Sequence, residues 1–133
     1  MNHCYTYFRI AGDFNPDDIT EILGIDPYKA VTAGDLRTNG TQHDTSMWCG
    51  CRCDKYDVYV ENQIRNTISQ LKDKIDILNK IYQENDVVYF LEVVPTISTD
   101  ESTPCLSLPF DVIDFCHATK TVIDIDLYID EKD

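Results

Sequence analysis

Residues 86–98, DVVYFLEVVPTIS, are apolar on both faces of an extended chain: Val87, Tyr89, Leu91 and Val93 fall on one side, Val88, Phe90 and Val94 on the other. A half-exposed strand alternates apolar with polar residues, so a segment apolar on both sides belongs in the middle of a sheet. The remaining sequence must therefore supply neighbours on both edges and a layer to cover at least one face. Pro95, which has no N–H, is expected to end the free pairing of this strand.

The flanking segments supply those parts. YTYFRIAG alternates, with Phe8 and Ile10 on one face and Tyr5, Tyr7 and Arg9 on the other, which predicts a first strand. NPDDITEILG predicts a short helix with both ends marked: Asn15 as N-cap, Pro16 at the first helical position, Asp17 and Asp18 at the positive end of the dipole, and Gly24 as the left-handed stop. Ile19, Ile22 and Leu23 are its buried stripe. A short strand is expected at Lys29–Thr32, a polar loop turning at Asn39–Gly40, and a strand at MWCGCRC, residues 47–53. Between Tyr59 and Glu84, apolar residues at Val60, Ile64, Ile68, Leu71, Ile75, Leu78 and Tyr82 recur at helical spacing and predict one long helix. CLSLP reads as a short strand, FDVIDFCHAT as a helix and TVIDIDLYID as the last strand. The order β-α-β-β-α-β-(β)-α-β predicts an α+β fold, a mainly antiparallel sheet with helices packed on one side, in a single domain over residues 1–133.

Charge narrows the function classes. The net charge is −13 and is unevenly spread: residues 1–53 carry 4 basic and 7 acidic side chains, residues 54–85 carry 5 and 6, and residues 86–133 carry 2 and 11. Such a field repels nucleic acid and anionic membrane and attracts basic proteins. No apolar run approaches the roughly 18 residues of a membrane span. The N-terminus lacks a basic segment followed by an apolar one, so the expected location is the cytoplasm, where the six cysteines stay reduced.

Three constellations could carry chemistry. Cys49, Cys51 and Cys53 alternate behind Trp48, and on a regular strand they share one side about 7 Å apart, a poor zinc geometry. They are expected to line the core as small hydrophobes. Cys116–His117 are sequence neighbours on a helix and His3–Cys4 on a strand, so neither pair faces itself, and no catalytic residue, metal or cofactor is assigned. In the last strand, Ile123, Ile125, Leu127 and Ile129 lie on one face, with Asp124, Asp126, Tyr128 and Asp130 on the other. A tyrosine among carboxylates suits a partner-binding ridge, since the ring gives rigid contact area and the acids give steering. Arg9 is expected to pair with a neighbouring aspartate, and Trp48 to pack in the core.

YFRIAGDFNPDDITEILGIDPYKAVTAGD, the lone Trp48 and the terminal VIDIDLYID together resemble the bacterial family catalogued as domain of unknown function 4279, over almost the whole chain. The resemblance implies a compact α+β domain from bacteria or their phages and brings no activity with it. Some members look like small acidic proteins encoded beside toxins, which implies an immunity role; the triple cysteine lies outside the family pattern. The functional expectation is therefore a non-enzymatic protein-binding domain that neutralises a basic toxin such as a nuclease. The alternatives are a housekeeping regulatory or self-assembling domain, dimerising through the long helix or a free sheet edge, and a metal- or cysteine-dependent enzyme.

Overall fold

The computed structural model describes residues 1–131. Six strands, β1 (His3–Asp13), β2 (Lys29–Val31), β3 (Ser46–Cys53), β4 (Asp86–Ser98), β5 (Thr121–Ile125) and β6 (Tyr128–Asp130), form one sheet. Its order is β2-β3-β1-β4-β5, with β6 also paired to β4. All pairings are antiparallel except those of β4 with β5 and β6, which are parallel. Four helices, α1 (Pro16–Leu23), α2 (Val60–Ser69), α3 (Ile75–Glu84) and α4 (Phe110–Thr119), complete the α+β fold. The doubly apolar strand is central as expected, flanked by β1 on one side and β5–β6 on the other.

The helices pack on one face, against Phe8, Ile10, Trp48, Tyr89 and Leu91, all without measurable exposure. Helix α1 follows its sequence marks: the Asn15 side chain accepts from the Asp17 N–H at 3.0 Å, and Gly24 closes it at φ 67°. It is tied to the sheet by the Trp48 Nε1–H, which donates to Thr20 Oγ1 at 3.0 Å. Gly50, two residues along the same strand, leaves the room this indole occupies, since a Cβ there would run into the Trp48 ring.

Four expectations need correction. The long helix over residues 59–84 is broken: Leu71 N–H bonds to Ile68 O and Lys74 N–H to Leu71 O, a tighter 3₁₀ step between α2 and α3. A stripe of threes and fours is compatible with either helix type, so the spacing concealed the break. The turn lets α2 lie over β1 and β3 while α3 lies over β4. The last strand is likewise two, with the gap at Asp126–Leu127. Strand β4 runs through Pro95 instead of ending there. By the register of β5 and β6, that gap lies opposite Val94–Pro95, where β4 has no N–H to offer at the proline. Finally, CLSLP is not a strand; only Cys105 makes a single parallel bridge, to Tyr59.

The cysteines also divide. Trp48 pairs with Ile10 on the core side, so Cys49, paired with Arg9, points to the opposite face. A bulge between Thr6 and Phe8 of β1, with Cys51 at φ 58°, then shifts the alternation and returns Cys51 to the core. Of the three cysteines expected to line the core, only Cys51 does so: Cys49 is buried on the opposite face and Cys53 is half-buried outside the core cluster.

Candidate functional site

Among the described residues, no helix covers the second face of the sheet. Strand β1 places Tyr5, Tyr7, Arg9 and Ala11 there, and the register brings Val94, Glu92, Phe90 and Val88 of β4 beside them in that order. On β5, Val122 and Asp124 lie next to Phe90 and Glu92. Tyr128 of β6 lies next to Thr96. A one-sided sheet ordinarily shows water a polar surface. This one shows tyrosines, valines and a phenylalanine, with Val88 44% and Val122 47% exposed.

The aromatic side chains are ordered by contact. Tyr5 and Tyr7 stack at 6.0 Å, and Tyr28, just before β2, meets Tyr7 edge-on at 5.5 Å. The Arg52 guanidinium lies 4.0 Å over the Tyr5 ring and 5.1 Å from that of Tyr28. Its Nε is 3.8 Å from Asp54. Stacking on two rings holds the Arg52 head flat while its charge stays near the surface.

At the centre sits Glu92, only 3% exposed. Arg9 Nε–H donates to its Oε1 at 3.0 Å, and the same oxygen is 2.9 Å from the second Arg9 nitrogen. The Arg9 guanidinium also lies 4.1 Å over the Phe90 ring. Burial, and next the neighbouring Asp124 carboxyl, push the Glu92 carboxyl up to about 7, against the opposing pull of Arg9. Arg9 thus pairs with a glutamate on the adjacent strand β4, 83 residues away in sequence, in place of the expected aspartate. Glu92 was absent from the sequence reading. The available signal was a single acid inside an otherwise apolar strand, because a carboxylate placed there must find a partner.

Of the four ridge residues, Asp124 lies beside Glu92, and Tyr128 donates its hydroxyl to Asp126 Oδ2 at 3.0 Å. This bond, with the Asp126 charge, raises the Tyr128 pKa. Asp130 pairs by register with Ser98 at the far end of β6. The ridge is thus the acidic margin of the bare face. Its apolar counterpart is covered only at the start: Ile123 is partly buried against the core, whereas Ile125, Leu127 and Ile129 are exposed.

The other candidates stay apart. Cys4 and Cys116 are buried while their neighbours His3 and His117 are exposed. Among the described residues, no three His, Cys, Asp or Glu side chains converge as a metal site. Two shallow hollows, of about 240 and 170 Å³, are lined by residues such as Cys53 and Asn66, and Tyr82 and Lys120; no histidine lines either. No helix of the described residues is long and apolar enough to cross a membrane.

Compared with known proteins, residues 2–130 match the family described as "Domain of unknown function (DUF4279)". The chain belongs to this family. The match spans both the helical layer and the bare face, so the family is defined over the whole α+β unit. No curated protein and no solved structure matches the chain.

Proposed function

We propose that this chain is a non-enzymatic protein-binding domain that docks a basic protein on the bare face of its sheet. The observation that carries the reading is the combination of an uncovered aromatic face with an acidic margin at Asp124, Asp126, Tyr128 and Asp130. A large apolar patch rimmed by charge is the ordinary make-up of a protein interface. The net charge of −13 favours cationic partners and speeds their encounter. The specific form we put forward is neutralisation of a basic toxin, such as a nuclease, in the cytosol, a compartment in which six free thiols persist. An acidic face laid over a cationic catalytic surface excludes its polyanionic substrate.

The test is affinity capture of the tagged chain from host lysate at low and high salt, alongside a variant carrying Asp124→Asn, Asp126→Asn and Asp130→Asn. The expected result is one basic protein in near-stoichiometric amount, released by salt and lost from the variant. Capture that is indifferent to both salt and the three substitutions overturns the reading.

A further inference from the structure

We propose that, in the absence of a foreign partner, the bare face closes on the same face of a second copy of this chain, through a two-fold axis parallel to the strands. The first reason is composition: Tyr5, Ala11, Val88 and Phe90 form the middle of the face, on the two central strands, with Val122 beside them on β5, and Val88 and Val122 are exposed. Apolar residues in that position need a cover. The second reason is how charge is sorted across the sheet. Lys29 and Arg52, the latter with the exposed Asp54 at 3.8 Å, stand on the β2–β3 side, while Asp124 and Asp126 stand on the β5–β6 side, at the opposite margin of the strand order.

A two-fold axis along the strands, running between β1 and β4, lays β3 of one copy over β5–β6 of the other and β1 over β4. Rows of the sheet are preserved by that operation. Arg52 lies over Tyr5, Tyr5 shares a row with Val94, and Val94 by register faces Asp126. Arg52 therefore meets the partner's Asp126, and Ala11 meets the partner's Val88. An axis perpendicular to the strands would instead set Arg52 against the partner's Arg52 side. The two sheets would pack as a sandwich, about 10 Å apart.

The face is large enough. The axis sets four strands of each copy face to face, and at about 4.8 Å apart with some 30 Å of usable length these give about 600 Å² per copy, the low end of a specific interface at about 1,200 Å² in total. A foreign cationic surface would satisfy the acidic margin and leave Lys29 facing like charge, with Arg52 offset only by its exposed neighbour Asp54. A second copy satisfies both margins at once, and this selects it as occupant. The dimer would hide the ridge that a basic protein uses, so the two would compete. The dimer needs no such protein to exist, and purified chain alone tests it, so either proposal can fail without the other.

The experiment is sedimentation velocity of the purified full chain from about 1 to 500 μM, with folding of each variant checked by circular dichroism. The wild type should dimerise with a micromolar Kd, weakened by salt. Val88→Asp, and independently Val122→Asp on the edge strand, should each raise Kd at least about tenfold. Arg52→Glu alone and Asp126→Arg alone should do the same, whereas their equimolar mixture should form a heterodimer near wild-type affinity, because both inter-copy charge pairs are then restored. A wild type that stays monomeric throughout overturns the proposal. So does a dimer that ignores all four substitutions, or a charge-swapped pair that fails to associate when each chain is folded.

Discussion

At the scale of single residues, Glu92 and Gly50 show how the sheet treats its two faces. Glu92 holds its proton more tightly in the folded chain than in the unfolded one, with its pKa raised from 4.5 to about 7. The stability linked to that proton is complete below about pH 4.5 and is lost as pH rises through about 7, because the folded state binds more protons in this window. Denaturant unfolding of wild type and Glu92→Gln at pH 5 and pH 8 should reveal it. Wild type should lose on the order of 2 kcal/mol more than the variant across that range. Parallel behaviour of the two chains would mean that Arg9 keeps the carboxylate fully ionised throughout. On the other face, Gly50 is fixed by the Trp48 ring lying against it. Gly50→Ala must push the indole from its bed or bend β3, and should cost about 1–3 kcal/mol in urea unfolding. Trp48 fluorescence would shift in the same variant, since an indole without measurable exposure gains solvent when displaced.

Side-chain hydrogen bonds tie the helices to the sheet, as Gln63 and Thr67 tie α2 to β1, and the bond from Trp48 to Thr20 joins α1 to β3. Thr20→Val keeps the shape and removes the acceptor, leaving the indole N–H buried without a partner. A loss of about 1–2 kcal/mol, read as a lowered Tm, is expected; an unchanged Tm would mean that a water replaces the hydroxyl. At this scale the sequence was most legible where local chemistry marks an end. Asn15, Pro16 and Gly24 delimit α1 because caps and stops act within a few residues. The central position of β4 was legible because burial on both sides leaves no polar alternation. The break at Leu71 was not, since the apolar stripe passes through it unaltered. Nor was the gap in the last strand, which depends on Pro95 in a neighbouring strand and so on a pairing that the sequence does not print. The bare face was half legible for the same reason. Tyr5, Tyr7 and Arg9 were placed together on one side of β1, and the acids and Tyr128 on one side of the last strand. That these two sides are the same surface, and that Glu92 joins them, follows only from strand order. Cys49 was misassigned because a bulge, which obeys no periodicity, separates it from Cys51.

The molecule as a whole can be read through its six free thiols. Burial pushes the pKa of Cys4, Cys51 and Cys116 up to about 11 and raises that of Cys49, so these four are shielded both from reagent and from ionisation. Cys105 is exposed and Cys53 half-buried. Alkylation of the native chain near pH 8, followed by mass spectrometry, should therefore modify Cys105 first and Cys53 next. The other four should react only through opening of the fold. If the helical layer and sheet unfold as one cooperative unit, those four should be labelled together, with a rate that rises with urea along the slope of global unfolding. Cys49 supplies the sharper comparison, because it is the buried thiol on the bare face, while Cys4, Cys51 and Cys116 lie in the core cluster. Its cover consists of side chains such as Tyr28 and Arg9, with no helix above them. Labelling of Cys49 ahead of the other three, with little dependence on urea, would show that the bare face opens locally while the core stays closed. Labelling in step with them would show that the aromatic face is as firmly held as the helical layer, and so preorganised for whatever binds there.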